Sequence, residues 1–402
     1  MMGTVYFSFK TALCLYVVYF VCAYNITDED QLHKDLFTNY NNELRAGNDR
    51  DFPLNVSMTF YLMAIKEFVE ATSKFSVNGV FSITWRDERL SWNPAMYQNI
   101  QQTMVSQNKI WLPTMIISNP FKEAHGLGSD LVKIYLFSDG SCVWIIMQSF
   151  EVICDANVKY YPFDKQFCSL RFGTYGFDRN WLNITFPTSK IGMIHYEENG
   201  LWEIENTAAY CTADHGPVEV VFELYMKRRS TYYVASLLVP MTFVAVLQSF
   251  VFLLPNESGE RIGFSVTMLL ASVVFLTLIQ EKLPESSEPS ISILGYLLLG
   301  YITLGGIQTL AVILSSNFFI QTKPVPKWLK IISCQELNKV EDKPPRNKSE
   351  ENSVKELDDD SLKEKYEVCW RKISRSFDRV CFILSLIVFA IQISIYIAMV
   401  YI

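Results

Sequence analysis

At 402 residues the chain exceeds one ordinary globular core, so two or more domains are expected. Half of it is hydrophobic and 19% is charged, and its apolar residues gather into four long runs after about residue 232. A net charge of −7 argues against a nucleic-acid surface, which needs clustered Lys and Arg to displace counterions from phosphate.

In chain order, Lys10 precedes an apolar stretch from Thr11 to Val21 and small side chains at Val21-Cys22-Ala23. That is the layout of a secretory leader over residues 1–23, with a retained signal anchor as the alternative. The short run and the polar sequence that follows favour cleavage. Residues 24–231 read as a secreted domain. Asn25-Ile-Thr27, Asn55-Val-Ser57 and Asn183-Ile-Thr185 are glycan acceptor triplets within it. Cys142, Cys154, Cys168 and Cys211 share that compartment, and four thiols allow three full pairings.

From about residue 24 to 51 the chain is polar and partly helical. From Asn55 to Leu224 short runs alternate apolar and polar residues, as in Val80-Phe-Ser-Ile-Thr-Trp85 and Val218-Glu-Val-Val-Phe-Glu-Leu224. Alternation rich in β-branched and aromatic residues predicts strands with one buried face. Turn signals such as Asp139-Gly140 and Asn199-Gly200 recur between them, and this spacing predicts a β-sandwich.

Four apolar runs follow at about 232–254, 262–283, 291–313 and 380–402, each near the twenty residues that cross a bilayer core as a helix. With the first half outside, four spans return the C-terminus outside and place residues 321–379 in the cytoplasm. The basic ends of that connector, with Lys323 and Lys327 at one and Arg371, Lys372, Arg375 and Arg379 at the other, agree with the positive-inside rule. Its middle, 347–360, is charged and poor in aromatics and is predicted disordered. Lys363–Arg379 has helical spacing and is predicted to run into the fourth span. Lys227-Arg228-Arg229 stands on the outer side, against the charge bias, and needs another reason.

Cys154 and Cys168 enclose thirteen residues with Tyr160-Tyr161-Pro162-Phe163-Asp164 at the tip. A bond there would close a loop of about fifteen residues and stabilise by about 3 kcal/mol in the chain-entropy model. An exposed apolar tip needs a surface to pack on, and a membrane domain would provide one.

With that loop, the Trp111-Leu-Pro113 segment, the Trp85-Arg-Asp87 to Trp92-Asn93 stretch and the four-span layout, the chain resembles a Cys-loop receptor subunit. Such a subunit belongs to a pentameric ligand-gated ion channel, here of the nicotinic acetylcholine receptor-like branch. The resemblance implies an extracellular antiparallel, Ig-like β-sandwich followed by a four-helix transmembrane bundle. It also implies a Cys154–Cys168 disulfide, free thiols at Cys142 and Cys211, and a multi-pass place in a plasma membrane, synaptic or neuronal. The implied partners are a small neurotransmitter-like ligand, permeant cations, membrane lipid and related subunits in a homo- or heteropentamer.

The second span reads as the pore wall. Steps of three and four residues place Gly263, Thr267, Leu270, Val274 and Thr277 on one face, with Glu260 and Glu281 near its ends. Five copies would form carboxylate rings from the two acids and an apolar constriction from Leu270 and Val274. Anion-passing relatives carry a Pro-Ala insertion at the inner mouth, which Gly259-Glu260-Arg261 lacks, so a cation channel is expected. Two unit charges 4 Å apart interact by about 1 kcal/mol in water and several-fold more near protein, so five convergent carboxylates favour cations.

In the family the ligand sits in an aromatic box between subunits and is held by cation–π attraction. This sequence departs from that pattern. Ser118 stands where Tyr is usual and Tyr175 where Trp is usual; Tyr210-Cys211-Thr212 lacks the adjacent cysteine pair. The complementary-face Trp falls near Val80, beside Phe81. Tyr175, Tyr210, Ser118 and Phe81 are the candidate ligand residues, and an accessory subunit that leaves agonist binding to its partners is the alternative. The resemblance also pairs Arg228 with Glu70, and adds Pro162, Phe163 and the outer linker 284–290 as the path that couples ligand to pore. His33, His125, His195 and His215 have no metal-ligand spacing, and no phosphate loop or nucleophile elbow is present, so neither enzyme activity, cofactor nor metal is expected.

Overall fold

The computed structural model describes residues 26–174, 176–212, 218–283, 292–326 and 353–401. They divide into two compact units. The first begins with helix α1 (Ile26–Phe37), which carries Asp28 and Glu29 in its first turn and Lys34 in its last, as the helix dipole favours. Ten strands follow: β1 (Leu54–Val69), β2 (Lys74–Arg86), β3 (Gln102–Ser106), β4 (Ile116–Ile117), β5 (Lys133–Phe137), β6 (Ser141–Ile153), β7 (Lys165–Gly173), β8 (Leu182–Thr185), β9 (Trp202–Thr212) and β10 (Glu219–Arg228).

They form a six-stranded sheet in the order β3-β5-β6-β2-β1-β8 and a four-stranded sheet in the order β4-β7-β10-β9. The β1–β2, β2–β6, β3–β5 and β5–β6 pairs are antiparallel. β8 runs parallel to β1, so the sandwich is mostly, not wholly, antiparallel. Asp139-Gly140 turns β5 into β6. Gly140 has φ +84, and a Cβ there would collide with the Asp87 backbone.

Strand alternation puts Phe60, Phe81, Phe150, Phe172 and Phe222 inside as one aromatic core. Phe81 stands at its centre, with ring centroids 4.7 Å from Phe60, 5.1 Å from Phe172 and 5.5 Å from Phe150 and Phe222. Phe81 is 0% exposed, which corrects its assignment to the ligand face. Its neighbour Val80 points outward, because successive strand residues face opposite sides of the sheet. A Cβ at Gly79 would strike the Phe60 ring, so close packing requires glycine there. Cys154 and Cys168 are bonded, with Cα atoms 5.3 Å apart.

The second unit comprises Glu70–Thr72, Ala156–Gln166 and Lys227–Ile402. Among the described residues it holds four helices long and apolar enough to cross a membrane: α2 (Thr231–Leu253), α3 (Arg261–Gln280), α4 (Ile293–Ile320) and α5 (Ser353–Tyr401). A π turn at Val234–Leu238 in α2 leads up to Pro240, whose ring nitrogen cannot donate to the helix ladder. α4 runs to Ile320, past the expected end at 313. α5 is one continuous helix of 49 residues, and residues 353–360, expected to be disordered, are its first turns. Lys355, Glu356, Leu357 and Lys363 are good helix formers, and local propensity there outweighed the low hydrophobicity. The outer linker 284–290 lies outside the described residues.

Because Phe81 fills the sandwich core, Phe81→Ala should cost about 3–5 kcal/mol of stability. Thermal melting of the purified protein should show the loss. An unchanged melting temperature would return Phe81 to the surface.

Candidate functional site

Helix α3 has two chemically distinct faces. Arg261, Ser265, Ser272 and Ile279 are buried, and the Ser265 and Thr309 hydroxyls lie 2.8 Å apart across α3 and α4. Gly263, Thr267, Leu270, Val274 and Thr277 are exposed in the single chain, as are Glu260 before the helix and Glu281 after it. Leu270 is 62% exposed, much like Leu310 of α4 at 64%; what sets it apart is that it shares its face with Thr267 and Thr277. Thr267 and Thr277 donate to the carbonyls of Gly263 and Val274, both at 2.8 Å, so their hydroxyls are satisfied by their own helix. Glu260 occupies the N-cap position without a side-chain capping bond, so its exposed carboxylate stands beside the N-terminus, where the helix dipole favours negative charge.

A buried ion cluster surrounds Arg228, the last residue of β10. The guanidinium donates through Nε to Asp164 Oδ1 (2.7 Å) and through Nη2 to Asp164 Oδ2 (3.0 Å) and to Glu70 Oε1. Its Nη1 donates to the Tyr233 hydroxyl at 3.3 Å, and the rings of Tyr161 and Tyr233 lie 4.9 and 5.1 Å from its central carbon. Burial opposes the positive charge, yet the two carboxylates outweigh it and hold the group's pKa above the usual arginine value. The expected pairing with Glu70 is present, but the bidentate partner is Asp164, which sequence reasoning quoted within the loop tip without assigning it a role. Its position next to the aromatic-proline-phenylalanine run was the available signal.

The loop tip meets the helices of its own unit. The Ile293 N–H, which opens α4, donates to the Lys159 carbonyl at 2.9 Å. Tyr161 is buried against Tyr233, with centroids 5.5 Å apart. Phe163 helps to line an apolar groove of about 540 Å³ with Leu238, Val239, Leu297, Tyr301 and Tyr396. Pro162 follows Tyr161 through a cis peptide bond.

The candidate ligand residues do not form a box within this chain. Tyr175 lies outside the described residues. Ser118 is exposed, and its N–H donates to the Arg171 carbonyl at 2.8 Å. Tyr210 donates to Glu223 Oε1 at 2.6 Å, which pushes its phenol up to about 12, and Tyr225 donates to the other oxygen of Glu223 at 3.0 Å. The Phe167 ring stands 5.0 Å from Tyr225. Glu223, Tyr225 and Phe167 were missed from sequence, although strand alternation puts Glu223 and Tyr225 in one outward row.

On the six-stranded sheet, Met104, Tyr135, Ile145 and Met147 form an exposed apolar stripe, with Met147 paired to Val80. Cys142 is buried and Cys211 half-buried. Both are unbonded, and burial raises both thiols, Cys211 to about 11. Asn55 and Asn183 are exposed neighbours on β1 and β8, and the Asn183 amide donates to Asn55 Oδ1 at 2.7 Å. Asn25 lies outside the described residues.

Removing one partner of a buried ion pair costs about 3–5 kcal/mol because the other charge is left unpaired. Asp164→Asn should lose stability on that scale and Glu70→Gln less, since Asp164 is 1% and Glu70 14% exposed. Melting of the detergent-extracted protein and its surface labelling would show the order. A greater loss from Glu70→Gln would reverse it.

Residues 29–230 match the neurotransmitter-gated ion-channel ligand binding domain, and residues 237–372 match the neurotransmitter-gated ion-channel transmembrane region. The chain is 28% identical over 353 residues to acetylcholine receptor subunit beta-type unc-29 of Caenorhabditis elegans, covering 85% of this chain and 71% of that protein. It is 29% identical to the beta-type lev-1 subunit of the same organism, covering 76% and 61%. It is also 29% identical to neuronal acetylcholine receptor subunit alpha-9-I of Oncorhynchus mykiss, covering 77% and 55%. With both domains matched in order, and four membrane-length helices following the β-sandwich along the chain, the chain is a multi-pass membrane protein that belongs to the neurotransmitter-gated ion-channel family.

Proposed function

We propose that this chain is a subunit of a pentameric, neurotransmitter-gated cation channel whose pore is lined by α3. The observation that carries this reading is the exposed stripe from Gly263 to Thr277, bounded by Glu260 and Glu281, on a helix whose opposite face is buried in its own bundle. Leu270 shares that stripe with Thr267, Thr277 and the two acids, and polar and charged groups on a membrane helix favour neighbouring copies around a water-filled axis over lipid. There Leu270 and Val274 form a dewetting gate and the two acids concentrate cations at the mouths. A small extracellular ligand binding between subunits opens the gate. The Arg228 cluster and Phe163 of the loop tip pass the motion on, because an ion pair this buried moves as a unit with the backbone that carries it.

The chain would lie in a plasma membrane, at a synapse, with both termini outside, lipid around its helices and glycans on Asn25, Asn55 and Asn183. A second reading is supported by the ligand face. With Ser118 and Val80 in place of aromatics, and Tyr210 bonded to Glu223, the chain serves as an accessory subunit and leaves agonist binding to partners.

Reversal potentials recorded while external sodium is replaced test selectivity: a reversal that follows sodium is expected, and one that follows chloride would sink the cation reading. Expression of the chain alone against a panel of small transmitters separates the two subunit roles. Currents from the lone chain exclude the accessory role, and Tyr210→Ala should then shift the dose–response at least several-fold. An unchanged response would remove Tyr210 from the site.

A further inference from the structure

A second buried ion pair stands where α3 begins. Arg261 follows Glu260 directly, yet Glu260 is exposed and Arg261 is 2% exposed, because successive helical residues point about 100° apart. The Arg261 guanidinium donates to both oxygens of Asp378 on α5, Nη2 to Oδ1 at 2.9 Å and Nη1 to Oδ2 at 3.1 Å. Nη1 also donates to Asn256 Oδ1, and Nε donates to the Val251 carbonyl at 3.3 Å. Asp378 accepts in turn from Ser315 of α4 at 2.6 Å, while the Asn256 amide donates to Ser374 of α5 at 3.0 Å. One guanidinium thus ties the end of α2, the turn after it, α4 and α5 to the first residue of α3.

The charges explain why this matters for permeation. Taken by themselves, Glu260, Arg261 and Asp378 sum to one negative charge per subunit. Without Asp378, the Arg261 charge would stand one residue from the Glu260 carboxylate and offset it, with little screening in the buried bundle. The neighbouring Arg379 is exposed, about 100° around α5 from Asp378, and stays outside the pair.

We propose that Asp378, although it lies on the helix farthest along the chain from the pore wall, is a positioning residue for ion selectivity. By pairing with Arg261 inside the bundle it neutralises that charge and holds it away from the pore, so Glu260 sets the field at the inner mouth. This inference rests on α3 being the pore wall.

Unitary conductance and sodium-to-chloride reversal, measured in the channels this chain forms, test it. Asp378→Asn should lower cation conductance about two-fold and move the reversal toward chloride, since the Glu260, Arg261 and Asp378 group loses its net negative charge. Arg261→Gln should conduct at or above the parental level, and the double variant R261Q/D378N should return to it. A purely structural role predicts fewer surface channels in all three with conductance and reversal unchanged, and that result overturns the proposal. So does an Arg261→Gln that falls alongside Asp378→Asn.

If Asp378→Asn alone does not reach the surface, coexpression with the parental chain should give conductance that falls in steps with variant copies. A single parental class, with variant present in the purified pentamers, also overturns it. Glu260→Gln separates the two levels of inference. If it leaves conductance and reversal unchanged, the pore assignment fails; if it changes them while Asp378→Asn does not, this proposal alone fails.

Discussion

A buried guanidinium has few tolerable surroundings, and Arg228 has found one of them. An unpaired charge in such a place would unfold its environment, so the chain must bring carboxylates to it from elsewhere. Asp164 supplies both oxygens and Glu70 a third, while Tyr161 and Tyr233 cover the guanidinium with their rings. These residues come from the turn after β1, the tip of the disulfide loop, the end of β10 and the start of α2. The cluster therefore fixes four chain segments in a single geometry, and the loop tip can reach Ile293 and the apolar groove beside Phe163 only with those segments in place. Of the three basic residues at 227–229, Arg228 is an internal ion, whereas Lys227 and Arg229 are exposed.

The same economy of charge recurs at the other end of the helices. Arg261 is buried and bidentate to Asp378, as Arg228 is to Asp164. In both places a cation is withdrawn from solvent and matched by an acid distant in sequence. What differs is what remains exposed beside it. Next to Arg261 stands Glu260, exposed, and after Arg261 no charged side chain occurs along α3 until Glu281. Helix α3 is held by polar bonds on its back, such as Ser265 to Thr309, and presents Gly263, Thr267, Leu270, Val274 and Thr277 on its front.

Much of this was legible from residues alone where the signal is periodic. Strand alternation marked the sandwich, run length marked the four spans, and steps of three and four marked the α3 stripe, because those patterns are consequences of local backbone geometry. Phe81 was misread for the opposite reason. It neighbours the position of interest by number, but a strand turns adjacent residues to opposite faces, and the core claimed it. Residues 353–360 were misread because composition was weighed above helix propensity in a segment that continues a long helix.

Sequence by itself determined the class of the protein, the order of its domains, the Cys154–Cys168 loop and the face that α3 exposes. All of these follow from local spacing and from motifs contiguous in the chain. Tertiary structure decided the partners: Asp164 over Glu70 as the bidentate acid for Arg228, Asp378 for Arg261, and Glu223 for Tyr210. Those pairs span 64, 117 and 13 residues. No local rule couples positions so far apart, and a buried charge specifies only that some opposite charge must reach it. Which one does so is settled by the packing of the elements that carry them.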